Sequence, residues 1–353
     1  MYNDFTFAED SKVEIFKVMN EALKKSYEVT VNPISTVVEN IQVTSKGSII
    51  FEGQEKKISQ RGMESFFKIL GIPLQFARKL PTDLLLHNVS KLTADNPSAP
   101  IFVLERPNAE IASIVGDPYS EIPYSDILGN FTERPVRSIE MSESLLKVCF
   151  TFDNLKVSDL NDNQDTLYVG EFLVASLTKL SGLQAYVGLY RTQCENSFIM
   201  PLLGRLKANY LKKEDARLSR FVAAFECYNT DTVATVLGNL AQKKQAKLKE
   251  YQVKQVWERM SKIMSKSDAD ILFSFDEDMR NSFLSKAKGY LSEYKQAEKL
   301  GLPLPTPTET PYDCYKVANE ITNIAHTRSF DAVDQLKAEM VGGNILQWMI
   351  FNN

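Results

Sequence analysis

Hydrophobic positions in this chain follow several different rhythms, and the changes of rhythm mark its elements. Val13, Phe16, Met19 and Leu23 follow Ser11 at helical spacing, which predicts a first helix to about Lys25. Short apolar runs at Glu28–Val31, Ile41–Thr44 and Ser48–Phe51 read as strands, with Ser45-Lys46-Gly47 as a hairpin turn. Helical spacing returns over Arg61–Leu70, Pro73–Lys79 and Thr82–Lys91, broken at Gly71-Ile72-Pro73 and at Pro81 because proline removes a backbone donor and fixes φ. Ile101–Glu105 and Glu110–Val115 then form a strand pair around Arg106-Pro107-Asn108-Ala109. A turn at Gly116–Ser120 and a helix over Tyr124–Phe131 come next, followed by strands over Leu145–Phe152, Thr166–Leu177 and Ala185–Arg191. Asp159–Asp165 reads as a solvated loop, since it lacks the glycine and terminal glutamate of a calcium-binding loop.

From Leu211 onward the rhythm lengthens. Val233, Val236, Leu237 and Leu240 share one helical face, and Leu248, Val256, Met260 and Ile263 another, with lysines filling much of the rest. A further helical region covers about Asp268–Leu300 and ends in Gly301-Leu302-Pro303-Leu304-Pro305-Thr306-Pro307, a stiff extended linker. Helices over Tyr312 to about Ala325 and within Asp331–Met340 close the chain. The expected fold is α+β: a β-rich body with short helices over residues 1–200 and a mainly helical portion over 201–353, whose last helices return to the body. The pivot is Gly170–Phe198, where two apolar runs flank a Ser-Gly turn and polar residues crowd in after the second.

Composition narrows the function classes. With 353 residues, 44% of them hydrophobic, the chain can bury a substantial core. No apolar run approaches the roughly 20 residues needed to span a bilayer, and the opening MYNDFTFAED lacks the order of a secretory signal, so a cytoplasmic location without a membrane partner is expected. Cys149, Cys194, Cys227 and Cys314 form no CxxC pair, and His87 and His326 are the only imidazoles; free buried thiols are expected, with no metal and no cofactor. The net charge is -4, yet residues 205–266 hold fourteen Lys or Arg against six Asp or Glu, a balance of +8 that leaves -12 for the remainder. Such asymmetry fits one basic face on an acidic molecule.

Four blocks carry a likeness. They are Ile69-Leu70-Gly71-Ile72-Pro73 with Phe76-Ala77 and Leu80-Pro81; Val115-Gly116-Asp117-Pro118-Tyr119 with Ile122-Pro123; Tyr190-Arg191-Thr192-Gln193-Cys194-Glu195-Asn196; and Ala318-Asn319-Glu320-Ile321-Thr322 with His326 and Gly342-Gly343. In this order they resemble the phage and plasmid-like family built on domain of unknown function 932, with a departure at Ser197, where relatives carry glycine. The family has no established reaction; the resemblance implies a mobile-element setting inside a bacterial host and a part in DNA replication, recombination or annealing.

Two groups of residues are candidates for chemistry. Lys207, Lys212, Lys213, Arg217 and Arg220, followed by Lys243, Lys244, Lys247 and Lys249, could track a phosphate backbone, with Tyr210, Phe221 and Tyr251 stacking on bases. The alternative is a solvated helical face with its aromatics turned inward. Arg191, Cys194 and Asn196 form a polar group that either lines a small anion pocket or braces a structural junction, and Asn319, Thr322 and His326 join them through the last block. His326 reads best as a helix C-terminal residue. A Cys194–His326 catalytic pair is conceivable in space, against the blander reading of a buried, inert Cys194 beside structural Arg191 and Asn196. The expected function is therefore a non-enzymatic DNA-associated protein that binds or anneals single strands, with single-stranded DNA and further copies of itself as partners. An oligomeric interaction or virion-associated component is the second reading, and an enzyme acting on a small anionic ligand the third.

Overall fold

A computed structural model of the chain describes residues 3–6, 31–116, 136–141, 145–158, 166–176, 182–191, 196–201, 205–208, 217–226, 240, 243, 245–327, 330 and 332–351. The fold is α+β, with sheets in the N-terminal and middle parts and helices toward the C-terminus. Strands are β1 (Asn3–Thr6), β2 (Asn32–Val37), β3 (Gln42–Val43), β4 (Ile49–Phe51), β5 (Gln54–Lys56), β6 (Pro100–Glu105), β7 (Ile111–Gly116), β8 (Val136–Met141), β9 (Leu145–Ser158), β10 (Thr166–Ser176), β11 (Leu183–Arg191), β12 (Asn196–Ile199), β13 (Arg205–Ala208), β14 (Lys247–Lys249) and β15 (Glu309–Asp313). Helices are α1 (Gln60–Ile69), α2 (Leu74–Ala77), α3 (Thr82–Asp95), α4 (Arg217–Glu226), α5 (Glu250–Met260), α6 (Lys266–Ile271), α7 (Glu277–Leu300), α8 (Cys314–Thr327) and α9 (Ala332–Phe351).

The chain divides into two compact units. The first comprises Met1–Val148, Leu173–Gln184 and Leu206–Glu226; the second comprises Cys149–Phe172, Ala185–Arg205 and Cys227–Asn353. The expected helix over residues 11–25, the helix over 124–131, the loop at 159–165 and the apolar face at 233–237 lie outside the described residues.

In the first unit β2, β6 and β7 form one antiparallel sheet in that order, and β3, β4 and β5 a small meander. The predicted hairpins stand. Gly47 turns β3 into β4 at φ 77°, and Ala109 takes φ 62° between β6 and β7. Helix α1 is stitched to β7 by polar groups as well as by Phe66 and Phe67: the Ser59 hydroxyl donates to the Ala112 carbonyl at 2.7 Å while accepting from the Gly62 amide at 2.9 Å, and Ile114 N–H donates to Ser65 at 3.1 Å. Serine at the helix start thus satisfies one otherwise orphaned amide and fixes the helix on the sheet.

The near-continuous apolar runs noted in the sequence become the buried strands β10 and β11. Leu167 to Ser176 and Leu183 to Arg191 are buried throughout, so neither strand needs a polar face. β11 pairs with β12 antiparallel, Gly188 opposite Ile199 and Arg191 opposite Asn196. α8 and α9 pack on each other and on β12. α9 is hydrophobic on most of its circumference, with Leu336, Val341, Ile345, Leu346, Met349 and Ile350 all buried, which marks a helix in the interior. It runs eleven residues past the predicted end at Met340, with Val341, Ile345, Leu346, Met349 and Ile350 continuing the burial.

Two local expectations are corrected here. Residues 247–249 are not part of a helical face: they form β14, which pairs with β15 across a separation of some sixty residues. Lysines alternate with the buried Leu248 there, a period-two pattern that a lysine-rich helical context hides. Helix α8, expected from Tyr312, begins at Cys314 because Glu309–Asp313 is committed to that pairing. Further on, α5, α6 and α7 meet through one polar network: Trp257 Nε1–H donates to Asp270 at 2.7 Å, Asp270 accepts from Arg280 at 2.8 Å, and the Arg280 guanidinium lies 5.8 Å from the Trp257 ring centroid.

Candidate functional site

The polar group at the end of β11 is an interior brace. Arg191 is buried, and its Nη1 donates to Asn319 Oδ1 of α8. Thr322, one turn further along α8, donates to the Asn319 carbonyl at 2.9 Å and is fully buried. A Cβ at Gly342 would lie 3.1 Å from Thr322 Cγ2 and 3.2 Å from the Ala318 carbonyl, and one at Gly343 would lie 1.9 Å from the Ile199 carbonyl oxygen. The two glycines therefore let α9 approach both α8 and β12 to backbone contact. His326 does sit in the last turn of α8, but its ring faces α9: Nε2 is 3.3 Å from Glu339 Oε1 and Nδ1 is 2.9 Å from the Gln335 amide nitrogen. Arg191, Asn319, Thr322 and His326 thus all serve the α8 contacts. Asn196 lies in β12, and Cys194 falls outside the described residues.

The thiols follow the expectation where they are described. Cys149 and Cys314 are both buried. Burial pushes the Cys314 thiol up to about 12, with the neighbouring Asp313 carboxylate adding to it. Among the described residues no cluster of three or more His, Cys, Asp or Glu could hold a metal ion. Also among these residues, no helix is long and apolar enough to cross a membrane.

The basic segment separates into cations with different fates. Lys243 Nζ donates to the Ile350 carbonyl at 3.0 Å, closing the end of α9, and Lys247 lies 3.5 Å from Asp313 across the β14–β15 pair. Lys249 precedes α5, its backbone N–H donating to Gln252 at 2.8 Å. Arg220 is exposed on α4, while its neighbours Phe221 and Val222 are buried. Phe221 therefore offers no stacking face, because the apolar side of α4 is turned inward. Tyr251 is half-buried and stacked on Tyr290, ring centroids 5.6 Å apart, so one of its faces is already used. Lys207 belongs to β13 and Arg217 opens α4; Tyr210, Lys212, Lys213 and Lys244 lie outside the described residues.

Three further cations of this segment lie outside the track predicted from the sequence. Arg259 in the last turn of α5, Lys262 in the turn after it, and Lys266 at the first position of α6 are all exposed, and none has an ion-pair partner among the described residues. They follow one another at spacings of three and four residues around the turn between α5 and α6. Neighbouring cations in the same segment are neutralised: Lys254 pairs with Glu258 at 2.6 Å. Arg259, Lys262 and Lys266 therefore present net positive charge to solvent, which can hold phosphate groups but reads no sequence.

Compared with protein-family models, with curated proteins and with solved structures, the chain has no match.

Proposed function

We propose that the chain is a non-enzymatic DNA-associated protein that binds single strands through backbone phosphates, as a protein of a phage or other mobile element would in replication, recombination or annealing. The observation that carries this reading is the exposed trio Arg259, Lys262 and Lys266, with no ion-pair partner among the described residues, in the segment where the chain concentrates its excess of positive charge. Arg220, exposed on α4, adds a cation of the same segment. Binding would release counterions and be sequence-tolerant, with several copies of the chain extending the track. The resemblance of the four sequence blocks to a mobile-element family points the same way.

The test is fluorescence anisotropy of a labelled oligothymidine with the full chain at rising salt. Saturable binding that weakens steeply with salt, and weakens further when Arg259, Lys262 and Lys266 are replaced by glutamine, supports the reading. No binding at low salt, or binding indifferent to the triple substitution, removes it.

A further inference from the structure

The first unit holds a cavity that neither the basic segment nor the brace around α8 uses. It encloses about 440 Å³ between β2, the short 3-10 turn Val38–Asn40, β3 and the β4–β5 hairpin, a size within the range of small-molecule sites. β2 is an edge strand of its sheet, so the cavity lies between that sheet and the small meander.

The lining is divided by chemistry. Ile34, Ile50 and Phe51 supply an apolar wall; Phe51 is buried in the core of the unit and Ile34 packs against the same cluster, which fixes the wall in place. Glu39 and Glu52 line the cavity as well, both exposed to solvent, and no lysine, arginine or histidine does. Lys56 lies 3.9 Å from Glu52, but it is buried and already held by Glu105 through two bonds of 2.9 and 3.0 Å. Glu39, Glu52, Glu105 and Lys56 together leave a charge of -2. Asn40 donates its amide to Thr36 Oγ1 at 2.9 Å, which leaves its amide oxygen as a further acceptor on the lining.

Glu52 occupies an unfavourable backbone position. It and Gly53 make a two-residue turn between the paired Phe51 and Gln54, with φ 52° and 74°. Both values are left-handed, and asparagine or aspartate before glycine is the favourable choice in such a turn.

We propose that this cavity binds a small organic cation, an ammonium group carried on an apolar body. The apolar wall takes the body, while Glu39, Glu52 and the Asn40 oxygen accept from the ammonium; hydrogen bonds between charged groups are the stronger class. The carboxylate of Glu52 then accounts for a glutamate in a turn that it does not stabilise. A bare metal ion is a poor occupant, because among the described residues no three His, Cys, Asp or Glu come together to hold one, and a divalent ion takes about six or more close oxygens. A neutral or anionic molecule of the same size leaves the two carboxylates without a counter-charge. The proposal does not rest on DNA binding.

The test is a ligand-observed NMR titration of the full chain with phenethylamine, with 2-phenylethanol as its neutral counterpart. Expected is saturable binding of the amine with a Kd of about 1 mM or tighter. The alcohol should bind about tenfold more weakly or worse, and the double substitution Glu39→Gln and Glu52→Asn should weaken the amine by about the same factor, the effect of losing a charged hydrogen bond. The single substitution Glu52→Asn separates the site from the fold. It should weaken amine binding and at the same time raise the thermal midpoint followed by circular dichroism, because asparagine suits the left-handed turn and Lys56 keeps Glu105. The proposal is overturned if phenethylamine does not bind, if 2-phenylethanol binds as tightly, or if the double substitution leaves binding intact. It is equally overturned if Glu52→Asn lowers the midpoint along with binding, which marks a structural role, or if light scattering shows a parent dimer that the double substitution dissolves.

Discussion

Replacing Gly343 by alanine separates helix propensity from packing, because the two act in opposite directions. In an exposed helix interior the substitution stabilises by about 1 kcal/mol, since alanine has less backbone freedom to lose. At Gly343 the new Cβ would sit 1.9 Å from the Ile199 carbonyl oxygen and 2.5 Å from its carbon. Ordinary contact begins at 3.4 Å, so α9 must withdraw from β12 by about 3.4 − 1.9 = 1.5 Å. Both groups are backbone, so no rotamer change relieves the clash. A gap of that size also forfeits a large part of the dispersion energy along the seam. Overpacking costs about 1–3 kcal/mol in general, and an unrelievable backbone clash belongs at the upper end; after the propensity gain a net loss of about 2 kcal/mol remains. Urea unfolding followed by tryptophan fluorescence is a suitable assay, because Trp257 and Trp348 are the only tryptophans and both belong to the second unit. Gly289 in α7, where a Cβ meets nothing within 4 Å, is the control and should gain stability on substitution by alanine. If Gly343→Ala proves as stable as the parent, or shifts in the same direction as Gly289→Ala, the backbone-contact account of α9 is wrong.

The same assay serves three further predictions. Asp270→Ala leaves the largely buried Arg280 without its carboxylate and the Trp257 indole without its acceptor, and should destabilise by about 3 kcal/mol, with Asp270→Asn losing less. Gln347 is fully buried, and neither its amide nitrogen nor its oxygen has a hydrogen-bond partner among the described residues, so Gln347→Met should stabilise by about 1–2 kcal/mol; a loss would point to internal water bound at the amide. The raised Cys314 thiol contributes stability that is fully present below the ordinary thiol value of about 8.5 and is lost as pH climbs from there toward about 12, because the unfolded chain ionises first. Cys314→Ala should therefore lose stability less steeply over that alkaline range, and the parent thiol should resist alkylation at pH 8 until the chain unfolds.

Much of the fold was legible because local pattern and burial agree. The serine and proline breaks around α1, α2 and α3, the Gly47 hairpin and the unbroken apolar runs of β10 and β11 all follow from residues close in sequence. β14 and β15 were not legible. Lys247-Leu248-Lys249 fits a helix face as well as a strand, and its partner lies some sixty residues away, so a non-local pairing decides the matter. The polar brace was half legible: the sequence marked Arg191, Asn319, Thr322 and His326, but their common use around α8 depends on Gly342 and Gly343 bringing α9 into contact. Among the lysines and arginines, spacing could not tell Lys243, which closes α9, or Lys247, paired with Asp313, from Arg259, Lys262 and Lys266, which have no ion-pair partner among the described residues. That distinction is made by tertiary partners, which a count of charges does not contain.

The most direct test of the proposed function is the salt dependence of oligothymidine binding by the parent chain and by the Arg259→Gln, Lys262→Gln, Lys266→Gln triple variant. Each phosphate contact on a single strand contributes about 0.7 to the slope of log affinity against log salt. The account predicts a steep slope for the parent and one shallower by about 2 for the variant, with weaker binding at every salt concentration. Equal slopes for the two proteins, or no binding by the parent at low salt, would contradict it.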